Sequence, residues 1–483
     1  MAYEFKTTPF THQREALNTK RAWLSDAFFW RMEMGTGKTK VALDNAGALF
    51  ERDLIDGLLV VAPKTVCRNW TGIEIPAHLP DRIERTVLLW KPKSARPAAW
   101  KDKVAGLHKA PGLAVYVVNV EALAFPDGRK DIEAFLRARR VLWVIDESTT
   151  IKNPQAKRTK AALKLAPLAP YRRIMSGHPI TRDPLDLWGQ CEFLRHGILG
   201  DTSFWSFRAR YAILRELRIG GRSFQKVEGF RGLDQLRQIL ASFSYAVTKA
   251  ECLDLPPKVY AVRHVDMTPE QKRVYTSMRD QFEAEVVQGS ACTATNILAR
   301  IMRLQQILSG YLPTDDGKAH EIPTNRLSAL LEVLDEAEGK AIVWAPFRRD
   351  VERVRAAIAE VYGKGSVVVL HGDVSADDRA TAIKAFQEHP EVRYIVGTPH
   401  TGGIGVTLTA ASCVVYYANT WDLGIRAQSE DRAHRIGQRS TVTYVDLVTP
   451  TTVDETILQA LRSKRTLAEM VTATTPEEIA KWA

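Results

Sequence analysis

Short apolar runs rich in β-branched residues recur along the chain, separated by stretches whose apolar positions fall at helical spacing. Most runs end at a polar or glycine-rich turn, the pattern of parallel strands joined by crossover helices. In the first half the predicted strands are Ala27 to Trp30, Leu58 to Val61, Val115 to Val118, Val141 to Ile145 and Arg173 to Met175. In the second half they are Ala341 to Trp344, Val367 to Leu370, Tyr394 to Val396, Val414 to Tyr417 and Thr443 to Leu447. Between them, Ala376 to Gln387 places Ala376, Ala380, Ile383 and Phe386 at helical spacing. The fold class this predicts is α/β, with two sheet-containing domains.

From about Thr181 to Asn325 the alternation breaks, and helical patterns run around Leu233 to Leu240, Pro269 to Gln288 and Thr295 to Leu308. Pro256 and Pro257 mark a crossing between the halves, because each fixes its own φ and the second pushes the first away from helix. After Pro450 the apolar anchors Ile457, Leu458, Leu461 and Leu467 predict a helix or two, followed by a capping pattern at Thr475.

A chain of 483 residues exceeds one ordinary core, which agrees with two domains or three. A content of 45% hydrophobic and 25% charged residues belongs to a globular protein. No apolar run approaches a membrane span, and MAYEFKTTPF has neither the basic region nor the apolar core of a signal peptide. The expectation is a soluble, intracellular (cytoplasmic) protein. Cys67, Cys191, Cys252, Cys292 and Cys413 lie far apart with no CxxC pair, so neither a disulfide framework nor a zinc site is supported. The net charge of +11 fits a polyanionic partner such as nucleic acid, or a basic protein without one.

Chemistry enters at Trp30 to Lys40, WRMEMGTGKTK, where an apolar run feeds a turn containing Met34, Gly35, Thr36 and Gly37 and ending in Lys38 and Thr39. Gly35 and Gly37 permit backbone conformations in which successive N–H groups converge on phosphate oxygens. Lys38 would neutralise the β and γ phosphates, and the Thr39 hydroxyl would hold Mg²⁺. The generic phosphate-loop pattern asks for glycine at position 32, where this chain has Met32, so an ordinary loop opening a helix is the competing reading. Val141 to Ile145 then delivers Asp146 and Glu147 at the end of a buried strand, where adjacent carboxylates need a cation or a proton. Asp146 would bind Mg²⁺ through water and Glu147 would activate the attacking water; a solvent-facing Asp-Glu loop is the alternative. In QSEDRAHRIGQ, Gln428 to Gln438, Arg432 and Arg435 are three apart and on a helix would share a face. Either they point at one target, or they belong to an exposed salt-bridged surface.

With these segments in hand, the chain resembles the Swi/Snf-type ATPases, DNA translocases of helicase superfamily 2. Seven segments occur in the family's order: MEMGTGKT at 32–39, VVAPKTVCRNW at 60–70, VIDESTTIKNP at 144–154, SGHPITRDPLDLW at 176–188, AIVWAPF at 341–347, GTPHTGGIGVTLTAAS at 397–412 and RAQSEDRAHRIGQ at 426–438. LDLPPKVY at 253–260 is similar to the family's entry into its second lobe. The resemblance implies two RecA-like parallel-sheet lobes, a P-loop NTPase and superfamily 2 helicase core with helical insertions between them. Residues 1–245 would be the ATP-binding lobe with an insertion after about 185, 246–325 a linker and helical protrusion, and 326–483 the C-terminal lobe with a helical tail. It further implies that ATP lies in the cleft between lobes, with Gln13 reading the adenine edge beside Phe10. Arg432 and Arg435 would reach across as arginine fingers, Gly403 and Gly405 would let the backbone approach nucleotide and DNA, and Gln438 would help couple the lobes. Its cofactors would be ATP and Mg²⁺.

The resemblance also implies DNA contacts at Pro63 and Lys64, Asn119, Ser176 and Gly177, His371 and Gly372, and Thr398. Hydroxyls, backbone N–H groups and a lysine suit phosphate contact without base reading, so binding should show little sequence preference and weaken steeply with salt. Loop chemistry is the competing reading for each. Three positions depart from the family's pattern: Met32 replaces an acidic residue, SGHP with Arg182 replaces TGTP with asparagine, and DEST replaces DEAH or DEGH. These spare the triphosphate chemistry and bear on how DNA contact couples to hydrolysis; His178 either partly replaces the missing histidine or is structural, as a lone histidine in a loop more often is. Trp70, Trp143, Trp188, Trp344 and Trp421 are read as core or lobe-interface residues rather than base stackers.

The expected function is DNA-stimulated ATP hydrolysis driving movement along double-stranded DNA, by a monomer resembling compact members from bacteria and bacteriophages. The alternatives are a strand-separating or annealing helicase and an ATP-gated DNA-binding module that hydrolyses little.

Overall fold

The structure, a computed structural model, describes residues 3–181, 183–219, 222–287, 294–314, 319–402 and 406–463. The chain divides into two compact units, one ending at Asp254 and the next beginning at Leu255. Each is described by itself.

The first unit contains strands β1 (Ala27–Met32), β2 (Gly57–Ala62), β3 (Arg85–Leu89), β4 (Leu113–Asn119), β5 (Val141–Asp146), β6 (Tyr171–Met175), β7 (Ala212–Ile219), β8 (Arg222–Phe230) and β9 (Ser244–Val247). Seven of them form a parallel sheet in the order β3-β4-β2-β5-β6-β1-β9. Its central strands β2 and β5 are buried along their whole length, as expected where helices cover both faces. Phe29, Val61, Tyr116, Trp143 and Ile174 pack on one face, joined there by Phe135 and Leu187 from covering helices.

The second unit contains β10 (Lys258–His264), β11 (Tyr311–Pro313), β12 (Ala319–Glu321), β13 (Lys340–Trp344), β14 (Val367–Leu370), β15 (Tyr394–Gly397), β16 (Ala411–Tyr416) and β17 (Val442–Val448). Six make a second parallel sheet, ordered β10-β17-β16-β13-β15-β14. Ala341 and Val343 join one core cluster and Ile342 and Trp344 the other, the two-residue alternation of a strand buried on both faces. The helices Pro269–Val287 and Ala294–Leu308 pack on the tail helix Val453–Arg462 through Tyr275, Ile301, Leu304, Ile457 and Leu461. The Leu467 anchor, the Thr475 cap and Cys292 lie outside the described residues, as does Arg182.

All ten apolar runs are strands. Of the strands missing from that reading, β3, β9 and β10 lie at three of the four edges of the parallel sheets, and β7, β8, β11 and β12 form two separate two-stranded ribbons. An edge strand has one solvated flank, so RTVLL and KVYAVRH carry charges and show mixed exposure instead of a continuous apolar run. The break after Thr181 is also not purely helical, because β7 and β8 form an antiparallel hairpin from Ala212 to Phe230. Its sequence signal is Gly220-Gly221 between two strand-length segments.

The four described cysteines, Cys67, Cys191, Cys252 and Cys413, are unpaired. No described helix is long and apolar enough to cross a membrane.

Candidate functional site

In the first unit the candidates gather at one end of the sheet because parallel strands present all their C-terminal ends on one edge. The Lys38 turn follows β1, Pro63 and Lys64 follow β2, Asn119 ends β4, Asp146 ends β5, and Ser176 follows β6. Residues from Lys38 to Ser176 thereby share one rim.

The turn after β1 is built on left-handed glycines, Gly35 at φ 82° and Gly37 at φ 85°. Gly37 is the N-cap of the helix Lys38–Phe50, which opens with Lys38 and Thr39. The positive torsion favours glycine at Gly37, and a Cβ there would lie 2.2 Å from Gln13 Nε2, so the Gln13 amide would have to move. Gln13 is buried; its Nε2 donates to Thr36 O at 3.1 Å and its Oε1 accepts from Phe10 N at 3.0 Å. A ring nitrogen of His12 also reaches Thr36 O, at 2.8 Å. Lys38 is buried to 8% exposure, and its ammonium makes one long bond, 3.4 Å, to Glu33 O. A buried ammonium so weakly engaged, beside backbone freed of Cβ atoms, suits phosphate oxygens.

Asp146 lies near the Lys38 ammonium of this turn, with Glu147 next to it in the chain. Asp146 Oδ2 accepts from Trp70 Nε1 at 3.0 Å and Oδ1 accepts from Glu147 N at 3.0 Å. Burial, with the Glu147 charge beside it, pushes the Asp146 carboxyl upward, while the Trp70 bond and the Lys38 ammonium offset part of that rise. Glu147 itself sits in the left-handed region, at φ 51° and ψ 63°. Non-glycine residues there cost of order 1 kcal/mol or more and persist where surrounding structure enforces them. The donor set fits Mg²⁺ bound with phosphate: one carboxylate, one hydroxyl at Thr39, and no cluster of three metal-ligating side chains among the described residues.

The next residue ties this strand end to the Ser176 loop. Ser148 Oγ donates to Gln190 Oε1 at 2.7 Å, and Gln190 Nε2 donates to Pro179 O at 2.8 Å and Asp186 O at 2.7 Å. Gly177 packs on the phosphate turn so closely that a Cβ would lie 2.9 Å from Met34 N. Ser176 is buried and its hydroxyl accepts from His178 N, and Asn119 caps the turn Val120–Ala124 by accepting from Ala122 N at 3.0 Å. Pro63 caps the helix Lys64–Asn69, and Lys64 is exposed.

In the second unit His371 and Gly372 follow β14 and Thr398 follows β15, again at strand C-termini. His371 Nε2 lies 3.2 Å from Glu352 Oε1, and open space surrounds the missing Cβ of Gly372. Gly403 and Gly405 lie outside the described residues.

Arg432 and Arg435 do converge, but not on a helix. The helix Leu423–Glu430 ends before them, and both occupy the turns that follow. Arg432 NH1 and Arg435 NH1 donate to the same carbonyl, Val406 O, at 3.2 and 3.4 Å, while Arg432 Nε donates to Gln428 O. The helix ends at Glu430, whose carboxylate joins a buried network. Arg426 Nε donates to Glu430 at 2.9 Å, its NH1 bonds Asn419 and Asp446, and its guanidinium lies 3.4 Å over the Tyr416 ring. Gln438 is buried, donating to Ala411 O and Ala433 O and accepting from Arg439 N and Ser440 N. Its amide thus pins the arginine turn to the start of β16.

Trp70, Trp143 and Trp344 are fully buried and Trp188 nearly so, as core residues are. Trp70 adds a polar task that its sequence did not signal. Gln190's links to Ser148 and Pro179 carry no local signal either, since those partners sit 42 and 11 positions away.

A profile of the SNF2-related domain matches residues 30–310, and one of the helicase conserved C-terminal domain matches residues 325–437. The chain is 26% identical over 479 residues to an uncharacterized ATP-dependent helicase of Mycoplasma genitalium, covering 97% of this chain and 42% of that protein. It is 24% identical over 543 residues to TATA-binding protein-associated factor BTAF1 of Arabidopsis thaliana, covering 97% of this chain and 25% of that protein. Among solved structures it is similar to the SWI2/SNF2 ATPase core of Sulfolobus solfataricus in complex with dsDNA, at 24% identity and a TM-score of 0.44, covering all of this chain and 97% of that one. The chain spans less than half the length of these curated relatives.

Proposed function

The chain belongs to the SNF2-related family of superfamily 2 helicase-like ATPases, and from that premise we propose that it hydrolyses ATP in response to DNA and uses the cycle to move along duplex DNA. The observation that carries the catalytic part is the Asp146–Glu147 pair: one carboxylate is fixed by Trp70 and lies near the Lys38 ammonium, while its neighbour is held in a left-handed conformation at the same strand end. In this reading the turn from Met34 to Thr39 cradles the triphosphate with backbone N–H groups, and Lys38 binds its β and γ oxygens. Thr39 and Asp146 would hold Mg²⁺, which supplies neutralisation of the phosphate charge when bound. Glu147 takes the proton of the attacking water as its oxygen bonds the γ phosphorus and the β–γ bridging bond breaks, yielding ADP and phosphate. Arg432 and Arg435, already converged on one carbonyl, are the cations proposed to stabilise the transition state.

Coupling to DNA is assigned to the strand ends that carry Pro63, Lys64, Asn119, Ser176, Gly177, His371, Gly372 and Thr398. Ser176 and Asn119 spend side-chain acceptors internally, so there the backbone and the Asn119 amide would meet phosphates. Glu147→Gln should abolish DNA-stimulated hydrolysis while ATP binding survives. Wild-type protein without ATPase activity on any nucleic acid would sink the reading. Displacement of a triplex-forming strand without unwinding of a fork would support translocation; unwinding of the fork would replace it with strand separation.

A further inference from the structure

The β7–β8 hairpin is an unexpected element of the first unit. It pairs with no strand of the seven-stranded sheet. A two-stranded ribbon alone is marginal in water, so its rooting matters. Leu214, Val227 and Phe230 pack against the core at its base. Arg231 donates to Arg210 O and Ala209 O, and Arg208 forks onto Gln225, tying the ribbon to the preceding helix Phe204–Tyr211. The root is therefore specified by packing and hydrogen bonds, while the ribbon edges remain unpaired with other described strands.

Its charge is concentrated. Residues 204–231 hold seven arginines or lysines against two glutamates, a net +5 out of the chain's +11. Arg215 and Lys226 stand directly opposite each other in the register, which places two cations side by side on the ribbon. Like charges so placed repel unless an anion is supplied. Glu228 meets Arg215 at 3.0 Å, but that pair is well exposed and weak, and Lys226 is exposed. At the root, Trp205 is 62% exposed, with the Arg208 guanidinium 5.6 Å from its ring. A large exposed aromatic beside a net excess of cations is the composition of a nucleic-acid contact, not of a solvated hairpin.

We propose that this hairpin is a docking element for duplex DNA, additional to the strand-end contacts: Arg215 and Lys226 engage phosphates, and the ribbon, whose width a major groove admits, lies against the duplex. The inference rests on the reading of the chain as a DNA-dependent ATPase. It adds a contact surface that none of the seven motif segments contains.

The test compares the full chain with Arg215→Gln/Lys226→Glu and with the charge-preserving Arg215→Lys/Lys226→Arg, by fluorescence anisotropy on a 30-base-pair duplex across salt concentrations. The first variant should weaken binding about tenfold or more and flatten the log K against log salt slope by about 2, while the second stays near the parent. Melting temperatures without DNA within about 2 °C of the parent establish that both variants fold. Equal affinity and slope for all three proteins would overturn the proposal. Loss confined to single-stranded oligonucleotide would also overturn it, in favour of a single-strand contact through Trp205. Failure of the parent to bind any DNA would instead remove the functional reading beneath it.

Discussion

The indole nitrogen of Trp70 donates to Oδ2 of Asp146 at 3.0 Å, joining a helix that follows β2 to the end of β5. Hydrogen bonds to charged groups contribute about 1.5–3 kcal/mol, so this one orients the carboxylate that would hold Mg²⁺. Trp70→Phe keeps an aromatic ring, though a smaller one, and removes the donor. Its kcat should fall about tenfold or more, with a raised Mg²⁺ requirement in steady-state titrations; unchanged Mg²⁺ dependence would show that Asp146 is positioned by other means.

Gly37→Ala tests the phosphate turn. Both the positive φ and the 2.2 Å approach to Gln13 Nε2 oppose a Cβ. ATP binding, measured by calorimetry, should be lost. Adding Gln13→Ala clears the space but not the torsion, so binding should stay weak in the double variant; recovery there would make sterics the whole cause.

Arg435→Ala should lower kcat by about 10³ or more while leaving ATP affinity within a few-fold, if this guanidinium acts on the transition state. A loss in affinity matching the loss in kcat/KM would point to ground-state binding. Arg432→Ala is a less clean probe, since Arg432 is buried and also holds Gln428 O.

The Ser148–Gln190 bond is buried and shared with two carbonyls. Gln190→Ala strands these partners, and unfolding stability should drop by about 2–3 kcal/mol in urea melts. Because Ser148 and Gln190 are in contact, Ser148→Ala combined with Gln190→Ala should be less destabilising than the sum of the two single changes, by about 1 kcal/mol. Strict additivity would mean that the pair does not couple the β5 end to the Ser176 loop.

Asp350 in the second unit predicts a pH dependence. Burial pushes its carboxyl up to about 7 from an ordinary 3.8, against the lowering effect of Ser309 Oγ at 3.1 Å and of Arg353, Arg326 and Arg349; Tyr311 and Tyr417 also face it. A raised folded pKa favours the protonated acid in the fold. That contribution is complete below the unfolded value near 4 and is lost as pH rises through about 7. Asp350→Asn should remove this slope, so the parent should lose stability relative to the variant between pH 4 and 8 in thermal or urea melts. Parallel curves would show that Asp350 ionises freely.

Much of the fold was legible because buried parallel strands must be apolar on both faces: VLWVID and GLLVVA admit few other readings. Edge strands escape that constraint, which is why RTVLL, SYAV and KVYAVRH passed unnoticed, and the β7–β8 hairpin was hidden by its charges in a region that read as helical. The arginine segment departs from its spacing. Three apart suits a helix, yet the helix ends at Glu430 and both arginines meet Val406 O from the turns beyond it.

Residue types and their order were readable along the chain: a glycine turn ending in Lys38 and Thr39, a carboxylate pair after a buried strand, and two arginines three apart. These are local because phosphate binding and strand burial are written in adjacent residues. Tertiary structure alone decided that β1, β2, β4, β5 and β6 bring their ends to one rim, that Trp70 holds Asp146, that Gln190 links Ser148 to Pro179, and that a basic ribbon stands apart from the sheet. Hydrogen bonds between residues far apart in the chain leave no periodicity to read, and only the folded backbone sets their distances.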